Sequence, residues 1–318
     1  MSRPTILDVA ERSGVSKSTV SNVIRGGPHV SPAVQQRVLD AIRELGYRPN
    51  GLARQLVLQR ASTIGVVVGD LANPFYGELV KLLERHANDV GYTTIASNTD
   101  GHPEREAARI EALLEQRVAG IALLQFSGSA ALLDELLADG VPLALVGSTD
   151  PRVDSVGVDE TRGLALAVRH LASLGHRRIA YVTSRLVDPR TDAARRESFA
   201  RACAEEGCDE ATLDDATAAA AANDIVAIEL IERLERAGRR VPDDVSVVGF
   251  DGIDAAGLAR IGLTTVAQPR ERLAAAGIRL LLGRMEAGAA APPREILLEP
   301  KLVVRSSTRK EPSWQRQT

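Results

Sequence analysis

Apolar positions change their period along the chain. Up to residue 45 they recur at helical spacing in three short bouts. Ile6, Val9 and Ala10 share one face; Val20, Val23 and Ile24 share a second; Val34, Val38, Leu39, Ile42 and Leu45 share a third. Thr5, Ser16 and Ser31-Pro32 suit the starts of these helices, and Gly14 and Gly46 suit their left-handed ends. Two short helices about a glycine turn, with a third packed across them, predict a helix-turn-helix over residues 1–46. From Ile64 onward, short β-branched runs alternate with amphipathic stretches. Runs at 64–69, 91–96, 120–124 and 142–146 read as strands, with helices from Asn73-Pro74, at 103–116 and at 129–139 between and after them. The alternation restarts with helices at 161–175 and 193–206 and strands at 178–182 and 245–251. This is the pattern of an α/β protein with two doubly wound parallel-sheet lobes, and small ligands bind at the carboxyl ends of such strands.

Residues 47–60 fit neither pattern. Pro49 ends what precedes it, Asn50 is a good cap, and only about two turns of helix can follow. A helix that short is marginal in water and needs a docking surface before it folds.

Charge sharpens this division. Residues 1–60 carry nine Lys/Arg and four Asp/Glu, net +5, while the remainder carries 30 and 38, net −8. A basic head on an acidic body predicts one part that meets a polyanion and one that does not. On the second helix, Lys17, Ser18, Ser21 and Asn22 project from the start and first turns, where an N-terminal end can enter a major groove. Asn22 can pair with adenine and Lys17 can reach guanine, whereas Ser16, Thr19 and Ser21 suit phosphate contacts. Cys203 and Cys208 form no disulfide framework, and the five histidines have no metal spacing. There is no G-x-G-x-x-G after the first strand, no P-loop and no nucleophile elbow, so an enzyme is not expected, nor a cofactor or metal. Without a signal peptide or a membrane-length apolar run, a cytoplasmic protein with no membrane partner is expected.

The strings Ile6-Leu7-Asp8-Val9-Ala10, Gly14-Val15-Ser16-Lys17-Ser18-Thr19-Val20-Ser21 and Gly46-Tyr47-Arg48-Pro49-Asn50 resemble the lactose-repressor (LacI/GalR) family of transcription regulators. So do Asn73-Pro74-Phe75-Tyr76, Asn223-Asp224 and Val248-Gly249-Phe250-Asp251 in the body. The resemblance implies a periplasmic-binding-protein-like core and a homodimer that binds operator DNA. Thr5 joins the second-helix residues as a DNA contact. Residues 47–60 become a hinge helix in the minor groove, with Leu56 as the wedge, Ala53 beside it, and Asn50 and Arg54 on backbone or groove. Wedging costs a few kcal/mol of unstacking and bends the duplex onto more protein. Asn22 and Arg25 stand where the family has Arg and Asn, which bears on the operator sequence.

In the core, the resemblance places the lobes at 61–160 with 267–292 and at 161–266 with 293–310. It lines their cleft with Phe75, Tyr76, Arg190, Arg196, Asn223 and Asp251, around a sugar or nucleoside-like effector. The family usually has a further strand, helix and strand where this chain has only 208–222, ending in five alanines. The alanines either form a thin strand, leaving the sheet one strand short, or join the next helix and draw Asn223 out of the cleft. A dimeric repressor is therefore expected, an effector-blind regulator is the alternative, and a solute-binding protein would lack the basic head.

Overall fold

The structure, a computed structural model, describes residues 4–24, 30–47, 62–124, 126, 129–184, 187 and 189–311. The chain divides into two units, which part after residue 61. Asn50, Ala53, Arg54 and Leu56 lie outside the described residues.

In the first unit, α1 (Ile6–Ser13) opens on a reciprocal cap. The Asp8 carboxylate accepts the Thr5 N–H at 2.6 Å, and the Thr5 hydroxyl accepts the Asp8 N–H at 3.4 Å. Gly14, at φ 66°, turns the chain into α2 (Lys17–Ile24). The Ser16 hydroxyl caps α2 by accepting the Thr19 N–H at 3.1 Å. α3 (Pro32–Leu45) packs across both, and Val9, Val20 and Val38 meet in a fully buried centre. Leu39 does not join them: it is 40% exposed, and Ala41 is buried instead. Positions 34, 38, 41, 42 and 45 make a coherent helical stripe, and Leu39 stands one step round from it.

The second unit carries two six-stranded sheets. In the first, β1 (Thr63–Val68), β2 (Thr93–Asn98), β3 (Gly120–Leu124), β4 (Leu143–Val146), β5 (Ser155–Val158) and β11 (Glu295–Leu298) run in the order β11-β5-β4-β3-β1-β2, all parallel. α4 (Pro74–Asp89), α5 (Pro103–Glu115), α6 (Ala130–Ala138) and α10 (Arg270–Ala287) belong to this lobe. In the second, β6 (Arg178–Val182), β7 (Asp209–Glu210), β8 (Ala218–Ala221), β9 (Ser246–Asp251), β10 (Thr264–Ala267) and β12 (Lys301–Val303) run β12-β10-β9-β8-β6-β7, with only β10–β12 antiparallel. α7 (Glu160–Ser173), α8 (Pro189–Glu206) and α9 (Asp224–Arg236) belong to this lobe. The doubly wound reading holds. Among the described residues, no helix is long and apolar enough to cross a membrane.

The alanine run is a strand. β8 lies inside the sheet between β6 and β9, and Ala218–Ala221 are buried on both faces. Alanine is a poor strand former, but here two neighbours supply its ladder and α7 and α9 touch it, so context overrides propensity. The sheet keeps six strands. A crossover between parallel strands ordinarily takes about a dozen residues. Residues 211–217 suffice because β7 is two residues long and the chain has little distance to return. The Arg239 guanidinium holds this turn, donating to the carbonyls of Leu213 at 2.8 Å and Ala216 at 3.1 Å.

The chain passes between the lobes three times: at Asp159, at Gln268-Pro269 and at Glu299-Pro300. The last passage corrects the expected boundary. Residues 295–298 pair with β5 in the first sheet, so the second lobe's final segment begins after 300, not at 293. The passages are neighbours, because the Asp159 N–H donates to the Leu298 carbonyl at 2.9 Å and Ala267 pairs with Lys301.

Candidate functional site

The head presents the first turns of α2. Ser16, Lys17, Ser18 and Asn22 are exposed, and Thr19 and Ser21 are half-buried at their edge. Ser16 also bonds the hydroxyls of Ser18 at 2.7 Å and Thr19 at 2.8 Å. The helix start therefore offers a cluster of hydroxyls and one lysine. That suits phosphate and base edges better than an apolar partner. Thr5 is exposed and is also the cap of α1, so its side chain has a structural task besides any contact with DNA.

The second site lies between the lobes of the core. Two cavities adjoin there, of about 230 and 370 Å³. Both are lined by Tyr76 from the first lobe and by Thr191 and Arg195 from the second. Asn73 caps α4 by accepting the Phe75 N–H at 3.0 Å, which sets the aromatic pair at the helix start. Phe75 and Tyr76 meet edge to face, their centroids 5.2 Å apart. Phe75 is only 4% exposed, so it supports the wall more than it offers a surface.

Arg195 is the centre of the site. It emerges from α8 on the same face as Phe199 and Ala202 and is buried. Its Nε and Nη2 donate to Glu160 Oε1 at 3.1 and 2.7 Å, and Nη1 donates to the Ala222 carbonyl at 2.6 Å. Nη2 stands 4.0 Å from Asp251 Oδ1, and the guanidinium lies 4.1 Å from the Phe250 ring centroid. Burial works against its charge, yet Glu160 and Asp251 together raise its pKa above the usual arginine value.

Asp251 ends β9 at φ 121°, a region that non-glycine residues rarely occupy, and such strain clusters at functional sites. Gln268 fixes it, since its Nε2 donates to Oδ1 at 2.7 Å and its N–H donates to the Asp251 carbonyl at 3.0 Å. Burial pushes the Asp251 carboxyl up to about 7, against the pull of Arg195. Behind it, Asp224 accepts the Thr265 hydroxyl at 2.5 Å and the Ile253 N–H at 2.8 Å, and burial raises it to about 6. Two carboxylates thus flank the guanidinium, and a third, Asp224, acts on Asp251 from behind.

Five of the expected cleft residues come together. Tyr76 borders both cavities, Phe75 and Arg190 the larger, and Asn223 and Asp251 the smaller. Asn223 stays in the cleft because the alanines form β8; its Oδ1 caps α9, accepting the Val226 N–H at 2.9 Å. Arg196 lines neither cavity. It is exposed on α8, lies over the Tyr181 ring at 4.9 Å and reaches Glu210 at 3.5 Å. Its neighbour Arg195 lines both cavities instead, alongside Arg190 in the larger. Sequence reading also passed over Glu160, Thr191 and Gln268. For Arg195 a signal existed: at i, i+4 and i, i+7 from Phe199 and Ala202 it stands near the middle of the helix's apolar stripe, whereas Arg196 lies about 100° round, at the stripe's edge.

A family model described as bacterial regulatory proteins, lacI family, matches residues 5–50, and one described as a periplasmic binding protein-like domain matches residues 168–308. The transcriptional regulator DegA of Bacillus subtilis is 34% identical, over 96% of this chain and 98% of its own. The transcriptional repressor PurR of Photobacterium profundum is also 34% identical, over 96% and 98%. Among solved structures, a Lac repressor dimer bound to operator and the anti-inducer ONPF gives a TM-score of 0.84 at 26% identity, covering 97% of this chain and 100% of that one.

Proposed function

Since the chain belongs to the LacI family of bacterial regulatory proteins, a DNA-binding regulator and not an enzyme, we propose that it works as a dimeric repressor. Its hold on the operator is set by a small polar effector in the cleft. One observation carries this reading: the charged cluster around Arg195 stands where the chain passes between lobes. Glu160 follows the first passage and Gln268 lies in the second. Tyr76 comes from the other lobe. A ligand that touches both lobes has a different affinity for each lobe arrangement, which is the requirement for shifting a population. The relative from Photobacterium profundum is a repressor, and the Lac repressor was solved as a dimer on operator; both support the finer reading. The retained Asn223 and the strained Asp251 favour a working pocket over an effector-blind one.

Ser16, Lys17, Ser18 and Asn22 are the proposed contacts of the head, with Lys17 and Asn22 reading bases. Gel shifts with duplexes from the promoter beside the gene test this at fixed salt. Specific binding is expected. Asn22→Ala should relax base preference at one position, and Ser16→Ala should weaken all duplexes alike. Failure to prefer any duplex over random DNA would remove the repressor reading.

A further inference from the structure

Outside the cleft cavities, a further contact joins the lobes. Its members are Glu78 on α4, Arg270 at the start of α10, and Asp254 on the 3-10 helix Asp254–Gly257 that follows β9. None of the three lines either cleft cavity. The Arg270 guanidinium pairs with the Glu78 carboxylate through Nη1, and its Nη2 donates to Asp254 Oδ1 at 3.0 Å. The Asp254 N–H donates to Glu78 Oε1 at 3.4 Å. The groups close a ring in which Glu78 and Arg270 belong to the first lobe and Asp254 to the second.

Each half of the ring is anchored in its own lobe. α4 and α10 pack on each other, and Glu271, beside Arg270, pairs with Arg85 and bonds His86 Nε2 at 2.9 Å. Arg270 therefore moves with α4. On the other side, Asp224 Oδ2 accepts the Ile253 N–H at 2.8 Å, which ties the start of the 3-10 helix to α9. Relative movement of the lobes thus falls on the bonds to Asp254. Exposure divides the ring further. The Arg270 and Glu78 side chains are 19% and 27% exposed, whereas that of Asp254 is 85% exposed. The Glu78–Arg270 pair is sheltered within one lobe. The pair between lobes is open to solvent, so salt screens it, and it shifts an equilibrium by about fivefold at most. A contact of that strength biases two arrangements without freezing either.

We propose that Arg270, clamped by Glu78, is a salt-sensitive latch that captures Asp254, biases the core toward the lobe arrangement in the structure and thereby adjusts operator affinity. The regulatory part rests on the reading above that lobe arrangement sets operator binding. The latch and the cleft act on the same two segments: Gln268, two residues before Arg270, holds Asp251, three residues before Asp254. A ligand at Asp251 therefore works beside the latch.

Spin-label distances between the lobes test it. Labels go on Glu111→Cys in α5 and Glu235→Cys in α9, both exposed, while Cys203 and Cys208 are buried. Labelled full chain is mixed with excess unlabelled chain, so that distances are read within one copy. At about 50 mM salt the wild type should show one main distance. Asp254→Lys, which sets a like charge against Arg270, should raise the share of a second distance about threefold or more, with Asp254→Asn between the two. At about 1 M salt all three should converge, because screening removes the pair. Operator affinity of Asp254→Lys at fixed low salt should differ from wild type by about threefold. Melting curves confirm that the variants are folded. The latch falls if folded variants keep the wild-type distances at low salt, or if their difference persists at high salt. It also falls if sedimentation shows a changed oligomeric state, which would make the ring a contact between copies. Shifted distances with equal operator affinity overturn the regulatory part. Shifted distances with no preferred duplex remove the regulator reading and leave the latch standing, whereas specific operator binding with unmoved distances removes only the latch.

Discussion

One residue is about 100° of helix, and that rotation separates Arg195 from Arg196. Arg195→Gln leaves the buried Asp251 and the half-buried Glu160 without their cation, so the core should lose about 3–5 kcal/mol in denaturant unfolding. Arg196→Gln changes an exposed side chain and should stay within about 0.5 kcal/mol. Equal losses would mean that the two arginines share the cluster. Asp251 gives a pH prediction. An unfolded chain releases its proton near 3.8, but the fold holds it to about 7. The group's stabilising contribution is thus full below about pH 4 and is lost as the pH rises to about 7. Asp224, raised to about 6, acts in the same direction. Asp251→Asn removes this dependence, so the variant should gain stability relative to wild type between pH 5 and pH 8. A difference that does not change with pH would remove the assigned titration. Polar types at the cleft were legible at Tyr76, Asn223 and Asp251, because they sit in strings tied to element ends. Glu160 and Gln268 were not. Each is ordinary in the sequence and joins the cluster only because a passage between lobes brings it there, Glu160 to Arg195 and Gln268 to Asp251.

At the scale of the element, β8 and the turn before it carry the lesson. Local composition argues for helix at 217–222, and the sheet decides otherwise, since β6 and β9 leave a gap that needs a narrow strand. Widening it should be costly. Ala220→Leu forces methylenes into a position buried on both faces, for a loss of about 1–3 kcal/mol in chemical denaturation. Arg239→Ala frees the carbonyls of Leu213 and Ala216 and should cost about 1–2 kcal/mol at this half-buried site. A neutral result would mean that the turn holds itself. The long apolar runs β1, β3 and β9 were legible because burial on both faces demands unbroken β-branched and aliphatic residues. β5, β11 and β12 were not, being three or four residues long with no period of their own.

The whole molecule joins a small head to a much larger core. The head buries few large side chains, around Val9, Val20 and Val38, and each unit has its own hydrophobic centre. Scanning calorimetry should therefore show two transitions, and a cleft ligand should raise only the core's. At a hundredfold excess over its dissociation constant, that gain is about 2.7 kcal/mol. A single transition moved as a whole would mean that the units unfold together. The domain order and the two-lobed core were legible from the change in hydrophobic period and the charge step at residue 60. The last passage was not, because residues 293–303 have no pattern that says which sheet they join. That passage, bound to its neighbours at Asp159 and Ala267, has a mechanical consequence. Three side-by-side joints resist torsion and yield in bending, like the knuckles of a door hinge. Glu160 and Gln268 are set at the knuckles, so a displacement of a fraction of an ångström there would be multiplied along the lobes. The far edges would travel several times further, with the cleft as the short arm of a lever.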